Sequence, residues 1–435
     1  MQTDLAAEFK GTRDGDAAEA ILRKCVHCGF CTATCPTYQL LGDELDGPRG
    51  RIYLMKQLLE GAPVTRKTQL HLDRCLTCRN CETTCPSGVR YGALLDIGRK
   101  IVEQRVERPA RERIVRGALA RGLTSPLFGP AMRLGQWLRP LLPAVIANKV
   151  PPRPGAGAHR WPKRTHPRKV LLLMGCVQPS MMPNINSATA RVLDAIGVQT
   201  IVAAEAGCCG AIRSHLGDEA GGLADMRRNI DAWWPTIAAG SVEAIVMNAS
   251  GCGVMVKDYG AALAHDADYA DKARRVSELT RDLSEFLPAH VAELERALAP
   301  ARTARELAGG AASGSAGKAR RVAFHPPCTL QHGQQLRGGV EAVLRELGFD
   351  VRLDPRESHL CCGSAGTYSV LQPALAYTLR DRKLANLAPL DAEAIVSANI
   401  GCIQHLQTGT RTPVRHWIEL IDEALNPAPG SSAAA

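Results

Sequence analysis

The chain has 435 residues, 45% hydrophobic and 22% charged, with a formal net charge of +10, enough for two or three domains with sizeable cores. No run reaches the ~18 apolar residues of a membrane-spanning helix, and the opening MQTDLAAEFKGTRDG lacks the apolar core of a signal peptide. All sixteen cysteines fall into spaced sets, which in a chain without a secretion signal points to metal binding in a reducing compartment; the expected location is the cytoplasm, with peripheral contact on the inner face of its membrane as an option.

The first eight cysteines form two runs, Cys25, Cys28, Cys31 and Cys35 in CVHCGFCTATCP and Cys75, Cys78, Cys81 and Cys85 in CLTCRNCETTCP. Each is the C-x₂-C-x₂-C-x₃-C-P run of bacterial-type ferredoxins, which holds [4Fe–4S] cubanes by thiolates. Three close thiolates let one loop wrap three corners of a cubane, and the fourth, beyond a longer spacer, reaches the neighbouring cluster. This assigns Cys25, Cys28, Cys31 and Cys85 to one cluster, and Cys75, Cys78, Cys81 and Cys35 to the other. Pro36 and Pro86 fix φ after the last ligand, so helices begin cleanly beyond them. The alternatives are zinc, which usually takes paired C-x₂-C units and needs only four ligands, and a disulfide scaffold, which suits small secreted chains. His27, inside the first loop, is expected to be exposed and able to tune one potential.

Between and after the loops, IYLMKQLLEG reads as a helix ending at Gly61, and ALLDIGRKIVEQRVER as another ended by Pro109. Residues 1–115 are therefore expected to form a helical twin-[4Fe–4S] ferredoxin domain. A spacer with a helix rather than a hairpin resembles the helical ferredoxin domain of succinate-dehydrogenase-type subunits.

Residues 116–168 read as a basic amphipathic connector. Arg116, Arg121, Arg133, Arg139, Lys149, Arg153, Arg160, Lys163 and Arg164, with Arg105, Arg108, Arg111 and Arg113 just before them, face only Glu103, Glu107 and Glu112. Met132, Leu134, Trp137, Leu138, Leu141, Leu142, Val145 and Ile146 interleave with them at roughly helical spacing, broken by Pro140 and Pro143. Such a stretch suits an anionic membrane surface or an acidic partner subunit. It equally suits a connector packed on its own protein. No helicase or nuclease motif accompanies the charge, and no nucleic-acid partner is expected.

From residue 169 short β-branched runs alternate with helices. KVLLLMG leads to Cys176, VQTIVAA to Cys208 and Cys209, and VEAIVMNAS to Cys252. The pattern then repeats: RVAFHPP leads to Cys328, FDVRLDPRESHL to Cys361 and Cys362, and AEAIVSANIG to Cys402. The expected units are 169–300 and 319–427, separated by a Gly/Ala/Ser linker at 301–318 and followed by a flexible tail at 428–435. The fold class is α+β multidomain: a helical ferredoxin domain, then two repeated α/β domains with parallel sheets. Ligands of such sheets sit beyond the carboxyl ends of the strands, where each half gathers four thiols. Buried structural cysteine is the alternative.

These repeats resemble the cysteine-rich "CCG" domains of heterodisulfide reductase. With the ferredoxin runs, and with DGPRGRIYLMKQLLEG, PSGVRYGALLDIGRKIVE, HPPCTLQHGQQ, CCGSAGTYSVLQP and NIGCIQHLQTGT, the chain from about Ile21 to Leu425 is similar to the iron–sulfur subunits of glycolate oxidase. The resemblance implies a heterotrimeric enzyme that oxidises glycolate to glyoxylate, in which flavin-containing dehydrogenase subunits carry FAD. The subunit of this type relays electrons toward a quinone and has no activity alone. No G-x-G-x-x-G follows a strand here, in keeping with that division. Related iron–sulfur subunits serve lactate-utilisation and anaerobic glycerol-3-phosphate dehydrogenases, and heterodisulfide-reductase-like thiol chemistry at the CCG cysteines is a further alternative.

One departure stands out. The heterodisulfide reductase repeat ends in C-x-x-C, whereas here Cys252 is followed by Gly253, Val254 and Met255, and Cys402 by Ile403, Gln404 and His405. Cys176, Cys208, Cys209, Cys252, Cys328, Cys361, Cys362 and Cys402 are thus candidate ligands of a third centre that would lack a fifth thiolate. The second set is also richer in histidine, with His325, His332, His359 and His405 against His215 alone. This asymmetry makes the second half the expected proton-coupled or metal-ligating one, unless the histidines are structural.

Overall fold

The computed structural model describes residues 1–155, 157–309 and 319–426. The second half of the expected linker, 310–318, and the expected tail lie outside the described residues.

In the N-terminal region the helices Arg13–Lys24, Pro48–Leu59, Arg66–Asp73 and Tyr91–Arg105 close around Leu22, Met55, Leu58, Leu59, Leu72, Leu94 and Leu95. Their starts follow local chemistry. Thr12 and Thr65 accept from backbone N–H groups of the first turns, and Pro48 sits where a missing N–H costs nothing. Gly50 is required by packing, since a Cβ there would lie 2.1 Å from the Glu44 carbonyl oxygen. The last of these helices stops short of Pro109, because Val106 turns extended and buries in the core. Arg108 then reaches back to Asp73 at 2.6 and 3.0 Å.

The basic segment forms the helices Ala110–Thr124 and Phe128–Leu138 and, after a 3₁₀ turn at Arg139–Leu141, the short helix Ala144–Ala147. The second is anchored on its inner side by Gln136, whose amide donates to the Ser180 carbonyl at 3.1 Å. Leu127, Leu134, Trp137, Leu141 and Ile146 are left exposed.

Two four-stranded parallel sheets follow. The first comprises β1 (Arg168–Leu172), β2 (Val198–Ile201), β3 (Ala244–Met247) and β4 (Thr280–Asp282) in the order β2-β1-β3-β4. The second comprises β5 (Arg321–His325), β6 (Asp350–Arg352), β7 (Ala394–Ser397) and β8 (Val414–His416) in the order β6-β5-β7-β8. The registers superpose, with Val170 opposite Ala244 as Val322 is opposite Ala394. The edge strands β4 and β8 were not among the sequence expectations; three residues, TRD and VRH, are too short to carry a period. Each ends in a capping residue, Asp282 or His416, paired with Glu285 or Glu419.

The halves are fused rather than strung apart. Helix Pro183–Ala195 packs on helix Trp417–Leu425, Arg191 pairs with Asp422 at 2.6 Å, and the Ser250 N–H donates to the Ala398 carbonyl at 3.0 Å. A single apolar core spans both sheets, from Val170 and Leu193 to Val396 and Trp417. The helix Val291–Gly309 enters the segment expected to be linker, since Leu294 and Leu298 extend that core.

Candidate metal centres

The structure gathers the ferredoxin cysteines into two hollows. Cys25, Cys28, Cys31 and Cys85 line one, which Cys81 also borders. Cys35, Cys75, Cys78 and Cys81 line the other, with Thr37, Arg51 and Tyr91. Cys85 thus stands with the first run and Cys35 with the second. All sixteen cysteines are free thiols, which sets aside a disulfide scaffold.

The two loops share one backbone. His27 and Gly29 in the first run have φ of 57° and 86°, and Thr77 and Arg79 at the same places in the second have 55° and 56°. Left-handed conformations at non-glycine residues cost of order 1 kcal/mol each and persist where the surroundings demand them. Here the turn brings three thiols to face one point. His27 is half-buried beside Tyr53, with ring centroids 6.2 Å apart, rather than exposed as expected.

The hollows differ in setting. Cys28 is exposed at the first, between Val26 and Phe30, which are 68% and 61% exposed. The second is interior: Cys35, Cys75 and Cys81 are buried, and Leu76 and Cys78 pack with Cys328, Cys361 and Tyr368 of the second cysteine-rich half. Across this seam the Tyr368 hydroxyl donates to the Arg74 carbonyl at 3.0 Å, Asn80 donates to the His359 carbonyl at 3.3 Å, and Thr83 meets His332 Nδ1 at 3.1 Å.

Behind the second hollow lies a fully buried guanidinium that sequence reading did not single out. Arg51 donates to the His71 carbonyl at 2.7 Å, to Thr37 Oγ1 at 3.2 Å and to Asp46 at 3.4 Å; Asp46 also holds Arg74 at 2.7 Å. Burial works against its charge, but Tyr91, Cys75, Cys35 and Asp46 outweigh that and hold Arg51 cationic. The signal was a charged residue on the inner face of the helix Pro48–Leu59, in the GPRGRIYL portion of DGPRGRIYLMKQLLEG. Thr37 Oγ1 and Tyr91 Oη lie 3.3 and 3.6 Å from Cys35 Sγ and Cys75 Sγ.

Burial and neighbouring sulfurs raise the thiols of Cys31, to about 11, and of Cys78 and Cys81 well above the ordinary thiol value. Such thiols ionise when a cation supplies the missing positive charge. Eight sulfurs divided between two hollows, four to each, suit the all-thiolate ligation of [4Fe–4S] clusters.

Each cysteine-rich half also brings its four thiols together at the carboxyl ends of the strands. In the first, the Cys176 and Cys209 S–H groups lower Cys208 and are themselves raised. Its Cys-Cys turn is held by Asn229, which donates to the Cys208 carbonyl at 2.8 Å, and by Tyr259, which donates to the Cys209 carbonyl at 2.9 Å. In the second, Cys328 and Cys361 stand 3.8 Å apart, and Asn399 donates to Cys402 Sγ at 3.7 Å. Gly363, at φ +89°, is indispensable to this turn, because a Cβ would lie 2.4 Å from the Ala376 carbonyl oxygen.

The second-half histidines separate. His332 spans Thr83 and the His359 carbonyl, and His405 donates to the Ala376 carbonyl at 3.1 Å while stacking on Tyr377. Only His325 joins the thiols, its ring nitrogen and Cys362 and Cys402 Sγ lying within 4.8 Å of one another.

Comparisons with known proteins fit this geometry. Residues 21–89 match the model of a 4Fe-4S dicluster domain, and residues 170–257 and 322–407 match that of a cysteine-rich domain. The chain is 56% identical over 426 residues to the glycolate oxidase iron-sulfur subunit of Escherichia coli (strain K12), covering 98% of this chain and 99% of that protein. It is 28% identical to the probable glycolate oxidase iron-sulfur subunit of Bacillus subtilis (strain 168), over 92% of this chain and 91% of the relative. Lactate utilization protein A of Bacillus licheniformis is 24% identical over 55% of this chain and 90% of its own length. No helix among the described residues is long and apolar enough to cross a membrane.

Proposed function

The chain belongs to the family of glycolate oxidase iron–sulfur subunits, and from that premise we propose that it is the electron-transfer subunit of a glycolate-oxidising enzyme. In this reading its redox equivalents come from flavin-bearing partners that carry FAD and leave toward a membrane quinone. The observation that carries the reading is the graded exposure of the two four-cysteine hollows, one at the surface and one interior. When bound, [4Fe–4S] clusters supply one-electron acceptance and release.

The residues then have distinct tasks. Cys25, Cys28, Cys31 and Cys85 hold the first cluster, and Val26 and Phe30 offer the apolar rim on which a partner excludes water around Cys28. Cys75, Cys78, Cys81 and Cys35 hold the second. There the buried Arg51 charge favours the reduced state, and Thr37 and Tyr91 hydroxyls steady two sulfurs. The exposed Leu127, Leu134, Trp137 and Leu141, with Arg121, Arg133 and Arg139 around them, form a face that suits an anionic membrane surface, bringing the chain to its quinone pool.

The test is anaerobic purification of the chain with its partner subunits, followed by mixing with glycolate, lactate and glycerol-3-phosphate while the cluster EPR signals are recorded. Glycolate should reduce them and support quinone reduction; Cys28→Ser should abolish the latter. Reduction by lactate or glycerol-3-phosphate and not by glycolate would move the chain to the neighbouring dehydrogenases.

A further inference from the structure

The two cysteine-rich halves superpose in strand register, and the superposition exposes a difference. Aligning Val170 with Val322 places Leu173 of the first half on His325 of the second. Leu173 closes the apolar core beside Cys209. His325 occupies the same depth, 1% exposed, at the carboxyl end of β5. Neither of its ring nitrogens has a hydrogen-bond partner. A buried imidazole with both nitrogens idle forfeits of order 1–3 kcal/mol per group, so the fold carries a cost at this position that a leucine avoids in the sister site.

What His325 does face is sulfur. A ring nitrogen and the Cys362 and Cys402 Sγ atoms all lie within 4.8 Å of one another. All three residues are at least nine-tenths buried. Atoms around one tetrahedral metal at about 2.0–2.3 Å stand roughly 3.3–3.8 Å apart, so a small inward movement closes the set. Cys361, adjoining Cys362 and 3.8 Å from Cys328, provides the next sulfur, and the Asn399 amide at Cys402 Sγ is the kind of donor that steadies a ligating thiolate. His405, which stands in the sequence where the heterodisulfide reductase repeat has its last cysteine, is turned away to Ala376.

We propose that the second half carries a third metal centre of mixed thiolate–imidazole ligation, with His325, Cys362 and Cys402 as ligands and Cys361 completing the set. Sulfur with imidazole selects iron or zinc from the common cellular metals. The site adjoins the second ferredoxin hollow through the packing of Cys361 and Cys328 on Cys78. The inference goes beyond the proposed function and does not depend on which substrate reduces the chain.

The test is elemental analysis of the anaerobically purified complex, with X-ray absorption at the iron and zinc edges. Wild type should hold metal above the about eight irons of two cubanes, with nitrogen in the coordination of the extra metal. His325→Leu, which installs the sister site's own residue and so preserves packing, should lose that metal and keep the cubane EPR signals. His325→Cys should retain the metal and lose the nitrogen contribution, and His405→Ala should leave metal content unchanged. Zinc or iron as the extra metal distinguishes a structural from a redox centre, and either supports the site. Equal metal content in wild type and His325→Leu, with folding verified by intact cubane signals, would overturn it.

Discussion

At the scale of single residues, the chemistry around the sulfurs is set by a few side chains that only burial makes consequential. Arg51 is the clearest, a guanidinium sealed beside Cys35 and Cys75 with Asp46 as its counter-charge. A unit charge a few Å away at an effective dielectric of about 20 is worth a few kcal/mol. Arg51→Met should therefore lower the reduction potential of the second cluster by on the order of 100 mV, and Arg51→Lys should recover most of it, as read by EPR-monitored redox titration. A purely structural role would move the melting temperature in both variants and the potential in neither. Gly363→Ala should cost several kcal/mol, since it joins a 2.4 Å approach to the Ala376 carbonyl with a left-handed φ. Anaerobic denaturation against wild type measures it.

At the scale of elements, the helix Phe128–Leu138 and the turn after it present a mixed surface: Gln136 is tied inward to Ser180, while Leu134, Trp137 and Leu141 face outward among arginines. Replacing these three apolar residues by serine should weaken binding to phosphatidylglycerol vesicles by tenfold or more, given about 1.5–3 kcal/mol for each fully buried large side chain. Folding should be untouched, because none of the three is in the core. Cosedimentation at rising salt should release the wild type progressively, and equal binding to neutral vesicles would contradict an electrostatic part. The strands were legible where β-branched runs precede each cysteine, as in KVLLLMG and AEAIVSANIG. The edge strands β4 and β8 were not, because three residues whose pairing depends on a neighbour carry no pattern of their own.

At the scale of the whole molecule, buried histidines tie stability to pH. His332, at the seam between the ferredoxin domain and the second half, is lowered to about 4, and His416, which caps the helix packed on the first half, to about 3; burial is the main cause in both. A histidine whose folded pKa lies below its unfolded value of about 6.5 stabilises the fold when neutral, above that value. The contribution is lost as pH falls from 6.5 toward 4, where the unfolded chain takes up the proton first. Chemical denaturation of the anaerobic protein should show stability dropping across that window, and His332→Gln, able to keep one of the two hydrogen bonds of that side chain, should flatten part of the drop. A stability flat between pH 7 and pH 4.5 would refute the assignment.

The sequence by itself determined two four-cysteine runs of one spacing, the repeat of a parallel-sheet unit, and the placing of four cysteines after the strands of each half. Ligand spacing and strand period are local properties that a chain states in its own order. What only the tertiary structure decided was orientation and neighbourhood. It left one hollow at the surface and sealed the other against the second half, turned His405 and His332 to backbone carbonyls while leaving His325 against sulfur, and buried Arg51 beside Cys35 and Cys75. Those outcomes depend on which faces meet across hundreds of residues, and neither residue type nor spacing encodes that contact.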